Sequence, residues 1–206
     1  VARACHANSG RHGEPFLALN CAALPESLAE SELFGYAPGA FTGAQRGGKP
    51  GLMELANQGT VFLDEIGEMS PYLQAKLLRF LSDGSFRRVG GDREIKVNVR
   101  IISATHRDLE KMVAEGSFRE DLFYRLNVLN LQVPPLRERG QDILLLARFF
   151  MQQACTQIQR PLCHLAPGAQ AALLAHRWPG NVRQLQNVIF RAAAVSESCQ
   201  VPLADL

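Results

Sequence analysis

The five cysteines of this 206-residue chain do not form the pattern of a metal site or a disulfide framework. They are odd in number and widely spaced, and no two of them make a Cys-x-x-Cys pair: Cys5, Cys21, Cys155, Cys163 and Cys199. Zinc sites and disulfide-rich domains usually show closely paired cysteines. The sequence therefore argues against both, and it predicts a protein of the reducing cytosol.

The chain also lacks a long apolar run and a strong charge of either sign. No segment approaches the length of a membrane span, and no charged-then-apolar leader opens the sequence. A net charge of +2 neither demands nor excludes nucleic acid, and it gives no electrostatic footprint of a DNA-binding domain. With 47% hydrophobic residues, the composition is that of a globular protein that can bury a core and makes no membrane contact.

A phosphate-binding loop of the form G-x-x-x-x-G-K-[ST] is missing as well. The nearest match is Gly43 followed by Gly48 and Lys49, but Pro50 takes the place of the hydroxyl that would bind Mg²⁺. No helix can begin there with its amide groups free to bind phosphate. We interpret this match as a coincidence within a glycine-rich loop.

Residues 60–65 are the most informative stretch that the sequence does contain. An apolar run ends there in two adjacent carboxylates, Asp64 and Glu65, with turn-forming residues on both sides. Such a run predicts a strand buried on both faces of a parallel sheet, and ligands bind such sheets at the carboxyl ends of the strands. An Asp there can hold Mg²⁺ and a neighbouring Glu can orient or deprotonate a water, as in a Walker B element. The alternative is that both acids only cap the next helix.

The order of the predicted elements indicates an α/β fold. Strands alternate with helices up to Pro134 and Pro135, and helices alone follow. This order predicts a parallel α/β core over residues 1–135 and a helical lid over residues 136–206. The predicted strands are 16–20, 60–65, 97–105 and 127–133, and the predicted helices begin near 25, 70, 109, 142, 167 and 181.

Capping residues mark the starts of two of these helices. Ser70 is a good N-cap and Pro71 suits the first turn of the helix that follows it. Asn181 and Gln184 have the spacing of a capping box at the start of the last helix.

Residues 35–51 form a segment that can be neither a helix nor the interior of a strand. Six glycines and two prolines occur in seventeen residues, and Phe41 and Thr42 lie in the middle. A linker does not need an aromatic residue at its tip, whereas an interaction loop does. We therefore expect these two side chains to be exposed for a partner.

Four motifs in order resemble the AAA+ domain of bacterial enhancer-binding proteins, which activate RNA polymerase carrying sigma-54. They are GAFTGA at 39–44 after ELFG at 32–35, the strand 60–65, the segment 118–125, and WPGNVR at 178–183. The resemblance implies a P-loop NTPase of the AAA+ class, truncated at its N-terminal side so that the first strand and the phosphate loop are missing, with a small helical lid. Residues 36–38 and 45–50 most resemble the regulators of aromatic amino acid metabolism TyrR and PhhR, and the intact GAFTGA favours the PhhR-like, sigma-54-activating side.

The resemblance implies roles for the polar residues near the strand ends. Asp64 would help to place Mg²⁺, and Glu65 would activate the water that attacks ATP. Asn20 matches the residue that holds this Glu back until the target is engaged; read by itself, it is equally well a turn residue at a strand end. Thr105 and His106 occupy the sensor I position, which is often Thr-Asn in the family, so that His106 is a departure.

The resemblance also implies roles for three arginines. Arg119 and Arg125 match the arginine fingers that reach a neighbouring subunit's site, although taken alone each would be a surface arginine or a salt-bridge partner. Arg183 matches sensor II, a lid residue that approaches the phosphates. Read by itself, Arg183 is a cation in the first turn of a helix, where the helix dipole is mildly unfavourable to it.

The loop and the assembly follow from the same resemblance. The turn 87–92 would be a second, supporting loop. The residues that would contact sigma-54 are those of the first loop: Gly39, Ala40, Phe41, Thr42, Gly43 and Ala44. Because arginine fingers act between subunits, the resemblance implies a ring in the cytoplasm, and the expected ring is a hexamer. DNA would be bound only through a domain outside these residues.

Two rival interpretations remain open at the sequence level. A TyrR-like module could use nucleotide or an aromatic ligand to oligomerise and repress DNA without sigma-54 activity, and His106 favours it slightly. An unrelated AAA+ machine would require GAFTGA to be accidental. In either case we expect these 206 residues to be a fragment that alone is poorly stable and binds ATP weakly or not at all, because the phosphate loop is missing.

Overall fold

The computed structural model describes residues 1–196 and 198–205, and the chain divides into two compact units, residues 1–130 and 131–206. The sequence places the boundary at 135/136, close to this division. Each unit has its own cluster of buried apolar side chains. Within the described residues, no helix is long and apolar enough to cross a membrane.

The first unit alternates strands and helices, as the sequence predicts. Its elements in chain order are α1 (Ala2–Ala7), β1 (Phe16–Asn20), α2 (Glu26–Phe34), β2 (Gly35–Tyr36), β3 (Lys49–Pro50), α3 (Leu52–Leu55), β4 (Thr60–Asp64), α4 (Pro71–Asp83), β5 (Ser85–Arg87), β6 (Glu94–Lys96), β7 (Arg100–Ser103), α5 (Leu109–Ala114) and α6 (Glu120–Leu126).

The main sheet is parallel, which confirms the predicted fold class. β4 lies between β1 and β7, so that Asn20 is in register with Asp64, and Leu63 is in register with Ser103. On one face of the central strand Val61 and Leu63 are fully buried, and on the other face Thr60 is buried while Phe62 is only partly buried. All three strands therefore end at the same edge of the sheet.

The predicted strand at 127–133 does not form, and this expectation is wrong. The segment is a turn followed by irregular chain, and Leu129 is 92% exposed. Apolar residues become a strand only when a neighbouring strand takes up their backbone hydrogen bonds. Within residues 1–196 and 198–205, the main sheet ends at β1 and β7, and the stretch 127–133 pairs with neither of these edge strands.

The strand predicted at 97–105 forms only over Arg100–Ser103. Upstream of it, β6 pairs with β5 as an antiparallel hairpin instead of continuing into the main sheet.

Helix α4 follows its sequence signals closely. The Ser70 hydroxyl accepts a hydrogen bond from the Leu73 amide, and Pro71 occupies the first turn. Gly84 ends the helix in the left-handed conformation, with φ of 66°, where a glycine carries no steric penalty. The buried face contains Leu73, Leu77 and Phe80, and the helix packs against α6 and β5.

The second unit is mostly helical. Its elements in chain order are α7 (Asp142–Gln157), β8 (His164–Leu165), α8 (Pro167–Ala175), α9 (Asn181–Val195) and β9 (Gln200–Val201). Trp178 is buried between these helices, and its indole N–H donates to the Leu173 carbonyl at 2.8 Å.

The start of α9 differs from the prediction. The N-cap is Gly180, and Asn181 is the first helical residue. The Asn181 side-chain oxygen accepts from the Leu136 amide at 2.8 Å, so it is not available to cap the helix. The predicted capping box therefore does not form, and the Gln184 side-chain oxygen accepts instead from the amide of the N-cap residue Gly180, at 2.9 Å.

Candidate active site and interaction loop

The carboxyl edge of the main sheet gathers the polar residues that the sequence singled out. Asn20 and Asp64 end neighbouring strands in register, and Thr105 and His106 follow two residues after the end of β7. Strand pairing therefore places these four candidate residues together, although they are far apart in the sequence.

At the opposite end of β4, the buried imidazole of His6 contacts the Thr60 hydroxyl at 3.0 Å and so ties α1 to the strand.

The backbone turns sharply between Asp64 and Glu65. Glu65 has a φ of 54°, in the left-handed region that a residue with a side chain seldom adopts. Its amide donates to its neighbour's carboxylate, Asp64 Oδ1, at 3.1 Å, and the next amide, of Ile66, donates to the Ala104 carbonyl at 2.9 Å. Such a conformation costs on the order of 1–3 kcal/mol and is found where surrounding contacts impose it, often at active sites.

The turn brings the Glu65 side chain to His106. The distance from Glu65 Oε2 to His106 Nδ1 is 2.6 Å, and the two side chains are 29% and 68% exposed. Because a carboxylate can only accept, Nδ1 must carry the proton in this contact. Thr105 is used differently, since its hydroxyl accepts from the Arg107 amide at 3.0 Å.

Asn20 makes a local contact in this structure. Its side-chain oxygen accepts from the Ala22 amide at 2.8 Å and stabilises the turn after β1. This contact matches the second interpretation of Asn20 from the sequence, that of a turn residue at the end of a strand. The exposed Asn20 remains next to Asp64 through the strand register.

Cys21 is a feature of this edge that sequence reasoning did not assign to the site. Burial, then the negative charges of Asp64 and Glu65, raise the pKa of its thiol to about 11. Its amide donates to the Asp64 carbonyl at 2.9 Å. The only signal in the sequence is its position directly after Asn20, at the end of a predicted strand.

The two carboxylates at this edge could bind Mg²⁺ only together with further oxygen ligands. Asp64 and Glu65 supply carboxylate oxygens, which a hard cation prefers. In the part of the chain that the structure describes, no group of three or more His, Cys, Asp or Glu side chains could hold a metal by itself. A magnesium ion at Asp64 would therefore complete its coordination with water and phosphate oxygens, as is usual for this ion in nucleotide enzymes.

The two candidate finger arginines are exposed residues at opposite ends of α6. The Arg119 guanidinium makes a bidentate contact with Asp121, at 3.0 and 2.7 Å, and this contact lowers the pKa of the Asp121 carboxyl. The Arg125 guanidinium donates to the Leu81 carbonyl at 3.0 Å. The buried Gln74 fixes the start of the helix, because its side-chain oxygen accepts from the Arg119 amide.

Arg183 belongs to the second unit, and we describe it there by itself. It lies in the first turn of α9 with an exposed side chain. Leu185 and Ile189 of the same helix are fully buried, so packing of α9 fixes the direction in which this turn faces.

The glycine-rich loop is closed at its base and exposed at its tip. β2 pairs with β3, and a Cβ on Gly51 would lie 2.3 Å from the Gly35 amide nitrogen, so that only glycine permits this approach. At the tip, Phe41 is 46% exposed and packs edge-on against Tyr36 with ring centroids 5.0 Å apart. Thr42 is exposed as expected.

Lys49 is part of the base of this loop. It lies in β3, and its ammonium group contacts Glu32 at 2.6 Å. A lysine engaged in this way, within a strand and before a proline, agrees with our interpretation that the partial phosphate-loop match is a coincidence.

The turn 87–92 is attached to the loop by backbone contacts. The Ala37 amide donates to the Val89 carbonyl, and the Val89 amide donates to the Gly35 carbonyl, both at 2.9 Å. Gly90 lies against Ala40, where a Cβ on Gly90 would come within 2.8 Å of the Ala40 Cβ. The sequence predicted two separate loops and gave no signal that their backbones pair.

Comparison with known proteins identifies both units. The family model described as the Sigma-54 interaction domain matches residues 1–132, and the model described as the AAA+ ATPase lid domain matches residues 137–206. Among curated relatives, the chain is 58% identical over its whole length to the regulatory protein AtoC of Escherichia coli K12 and 54% identical to the regulatory protein TyrR of Enterobacter agglomerans. It covers 44% and 39% of those proteins, so it spans less than half of their length.

The solved structures agree with this result. NtrX from Brucella abortus in complex with ADP superposes on the whole chain with a TM-score of 0.89 at 42% identity, and the chain covers 45% of it. The complex of the same protein with ATP gives a TM-score of 0.87 over the same shares.

Proposed function

Because the chain belongs to the sigma-54 interaction domain family with an AAA+ lid, we propose that it is the ATP-hydrolysing part of a transcriptional activator that remodels the closed complex of sigma-54 RNA polymerase. The observation that carries the proposal is the arrangement at the carboxyl edge of the sheet, where strand pairing gathers Asn20, Asp64, Glu65 and His106. Two carboxylates at this edge suit a magnesium nucleotide and an attacking water.

The roles of the edge residues follow from their chemistry. Asp64 would hold Mg²⁺ through a carboxylate oxygen, and Glu65 would take the proton of the attacking water. When bound, magnesium supplies positive charge that offsets the charge of the phosphates. In this proposal Thr105 and His106 sense the terminal phosphate, and Asn20, which is in register with Asp64, matches the residue that restrains Glu65 in the family.

The arginines complete the proposal at the level of the assembly. Arg119 and Arg125 lie on the surface of α6, where a neighbouring subunit can reach them, and they act as fingers on its nucleotide. Arg183 acts as sensor II from the lid. Fingers that act between subunits require a ring, and we propose a hexamer. Support for nucleotide binding comes from NtrX, which has been solved with ADP and with ATP.

The loop is the part that does mechanical work in this proposal. Residues 39–44 present Phe41 and Thr42 to sigma-54, and the paired turn 87–92 moves with them. An exposed aromatic ring on a loop with a closed base suits a contact that is made and released in each hydrolysis cycle.

We propose in addition that the whole protein regulates aromatic amino acid metabolism from the cytoplasm and binds DNA through a domain outside these residues. The support is the likeness of residues 36–38 and 45–50 to TyrR and PhhR, together with the 54% identity to TyrR. The slightly higher identity to AtoC means that this narrower assignment depends on the loop residues alone. The alternative is a TyrR-like oligomerisation module of a repressor without sigma-54 activity, and the departure at His106 favours it.

Two substitutions in the full-length protein test the proposal. We expect Glu65→Gln to lower ATP hydrolysis by about 100-fold or more, because a general base contributes on the order of 10²–10⁴-fold. We expect Thr42→Ala to leave hydrolysis within about twofold while open-complex formation with sigma-54 polymerase is lost, because Thr42 is exposed at the loop tip and is not one of the residues of the sheet edge. Phosphate release and promoter opening measure the two effects separately.

Glu115→Gln is the matched control, since Glu115 is exposed and its partner Lys111 lies at 3.8 Å. Hydrolysis without any sigma-54-dependent transcription in the wild type would favour the repressor alternative. Unchanged transcription in both variants would contradict the proposal.

A further inference from the structure

We propose that His106 holds the Glu65 carboxylate in the nucleotide-free protein, so that Glu65 must leave this partner before it can take a proton from water. The inference rests on the proposed function, which assigns the base role to Glu65. It makes His106 a positioning residue, and it differs from the expectation that Asn20 alone restrains this side chain.

The first argument is the contact itself. His106 Nδ1 and Glu65 Oε2 are 2.6 Å apart, a short distance typical of a hydrogen bond to an ionised group. The Asn20 side-chain oxygen, in contrast, accepts from the Ala22 amide. In this structure the side chain that holds Glu65 therefore comes from beyond β7 and not from the end of β1.

The second argument is the backbone around Glu65. The left-handed conformation of Glu65 and the bond from the Ile66 amide to the Ala104 carbonyl turn the chain toward the end of β7. Asp64 stays in register with Asn20 on the other side. The two acids thus separate, with Asp64 next to β1 and Glu65 next to the segment that carries His106.

The third argument is exposure. The His106 side chain is 68% exposed, so water can replace it and the contact can exchange. A fully buried pair would fix the carboxylate permanently. While the contact is made, the carboxylate is a weaker acceptor for the water proton, because it already accepts a hydrogen bond. The restraint is reversible, because water can displace an exposed donor.

Hydrolysis by the full-length protein provides the first test. His106→Ala removes the donor, and we expect the basal kcat to rise about two- to tenfold with little change in KM, which is the range that one hydrogen bond is worth. His106→Asn carries its amide nitrogen on the same γ carbon that bears Nδ1, so we expect it to stay closer to the wild type than the alanine variant does. Lys111→Ala, an exposed change in the following helix, is the control.

An unchanged or lower kcat in His106→Ala would overturn the proposal, because it would make the histidine irrelevant to Glu65 or necessary for its action. An asparagine variant that matched the alanine variant would do the same.

The second test does not depend on hydrolysis. Nitrogen NMR of the nucleotide-free, full-length protein labelled at histidine, recorded at alkaline pH, reports which ring nitrogen carries the proton. We expect His106 to carry it on Nδ1 and to lose this preference in Glu65→Ala, while His12, whose Nδ1 contacts the Ser9 carbonyl at 3.1 Å, does not change. An unaltered His106 would overturn the proposal. If the protein hydrolyses no ATP, the proposed function fails, and this measurement still decides whether His106 holds Glu65.

Discussion

The carboxyl edge of the main sheet and the glycine-rich loop belong to the same unit, but they are held in opposite ways. At the edge, strand register fixes the backbone, and side chains such as Glu65 and His106 bond to each other. In the loop, close backbone approaches fix the base, and the tip residues Phe41 and Thr42 remain exposed. Backbone contacts therefore hold both regions, but side chains at the sheet edge bond to each other, whereas the side chains at the loop tip remain exposed.

The largest effect is expected at the base of the loop. Gly51→Ala would place a Cβ 2.3–2.5 Å from backbone atoms of Leu33, Phe34 and Gly35, none of which can move aside as a side chain could. We expect the free energy of unfolding to fall by about 1–3 kcal/mol or more, as for an overpacked core. Urea unfolding followed by circular dichroism measures it.

Gly10→Ala is the matched control for this change, since a Cβ there meets nothing within 4 Å. Equal unfolding midpoints for the two variants would show that the backbone at the base of the loop is not closely packed. The contrast between a closed base and an exposed tip would then be wrong.

The next effect tests the negative charge at the edge of the sheet. The pKa of Cys21 is raised from 9.0 to about 11 by burial and by the two carboxylates, so its thiolate fraction near neutral pH is about a hundredfold lower. We expect iodoacetamide to modify Cys21 at least about a hundredfold more slowly than the exposed Cys199, and the rate to rise as the pH is raised toward 11. Peptide mapping by mass spectrometry measures both rates.

Asp64→Asn removes one of the charges that disfavour the thiolate, so we expect faster labelling of Cys21 in that variant. Comparable rates of iodoacetamide modification for Cys21 and Cys199 in the wild type would contradict the prediction. They would mean that neither burial nor the nearby carboxylates suppress the Cys21 thiolate.

The smallest effect concerns the exposed contact between Arg119 and Asp121. The hydrogen bond from Arg119 lowers the pKa of the Asp121 carboxyl. A group whose pKa is lowered by folding contributes stability above its unfolded pKa, and this contribution is lost as the pH falls through the folded value. We expect Asp121→Asn to be slightly less stable than the wild type at neutral pH and equal to it in acid.

Asp83→Asn is the control for this pair, because Asp83 is also exposed and its partner Arg79 lies at 3.9 Å. Thermal unfolding over a series of pH values compares the two variants. A stability difference for Asp121→Asn that grows as the pH falls would contradict the assignment.

Much of the fold followed from local signals in the sequence. The bounds of β1 and the start of α4 were predicted correctly, because an apolar run between turns and a serine cap act over a few residues. The strand at 127–133 was predicted wrongly, because a strand requires a partner that no local pattern reveals. Asn181 was predicted wrongly as a cap, because the Leu136 amide uses its side-chain oxygen.

The candidate site was predictable in its members but not in its contacts. Asp64 and Glu65 stood out because two carboxylates end a buried strand. Three contacts could be found only from the coordinates, because the partners are separated by tens of residues. Glu65 turns toward His106, the charges of Asp64 and Glu65 act on Cys21, and the turn 87–92 pairs with the loop.

The sequence alone thus determined which residue types stand at the ends of the strands and where the chain must bend, because apolar periodicity, proline and glycine act locally. The tertiary structure decided which of these residues meet. Parallel register brought Asn20 beside Asp64, and the left-handed turn at Glu65 directed its carboxylate to His106. Hydrogen bonds between distant strands set both outcomes, and no short stretch of sequence encodes them.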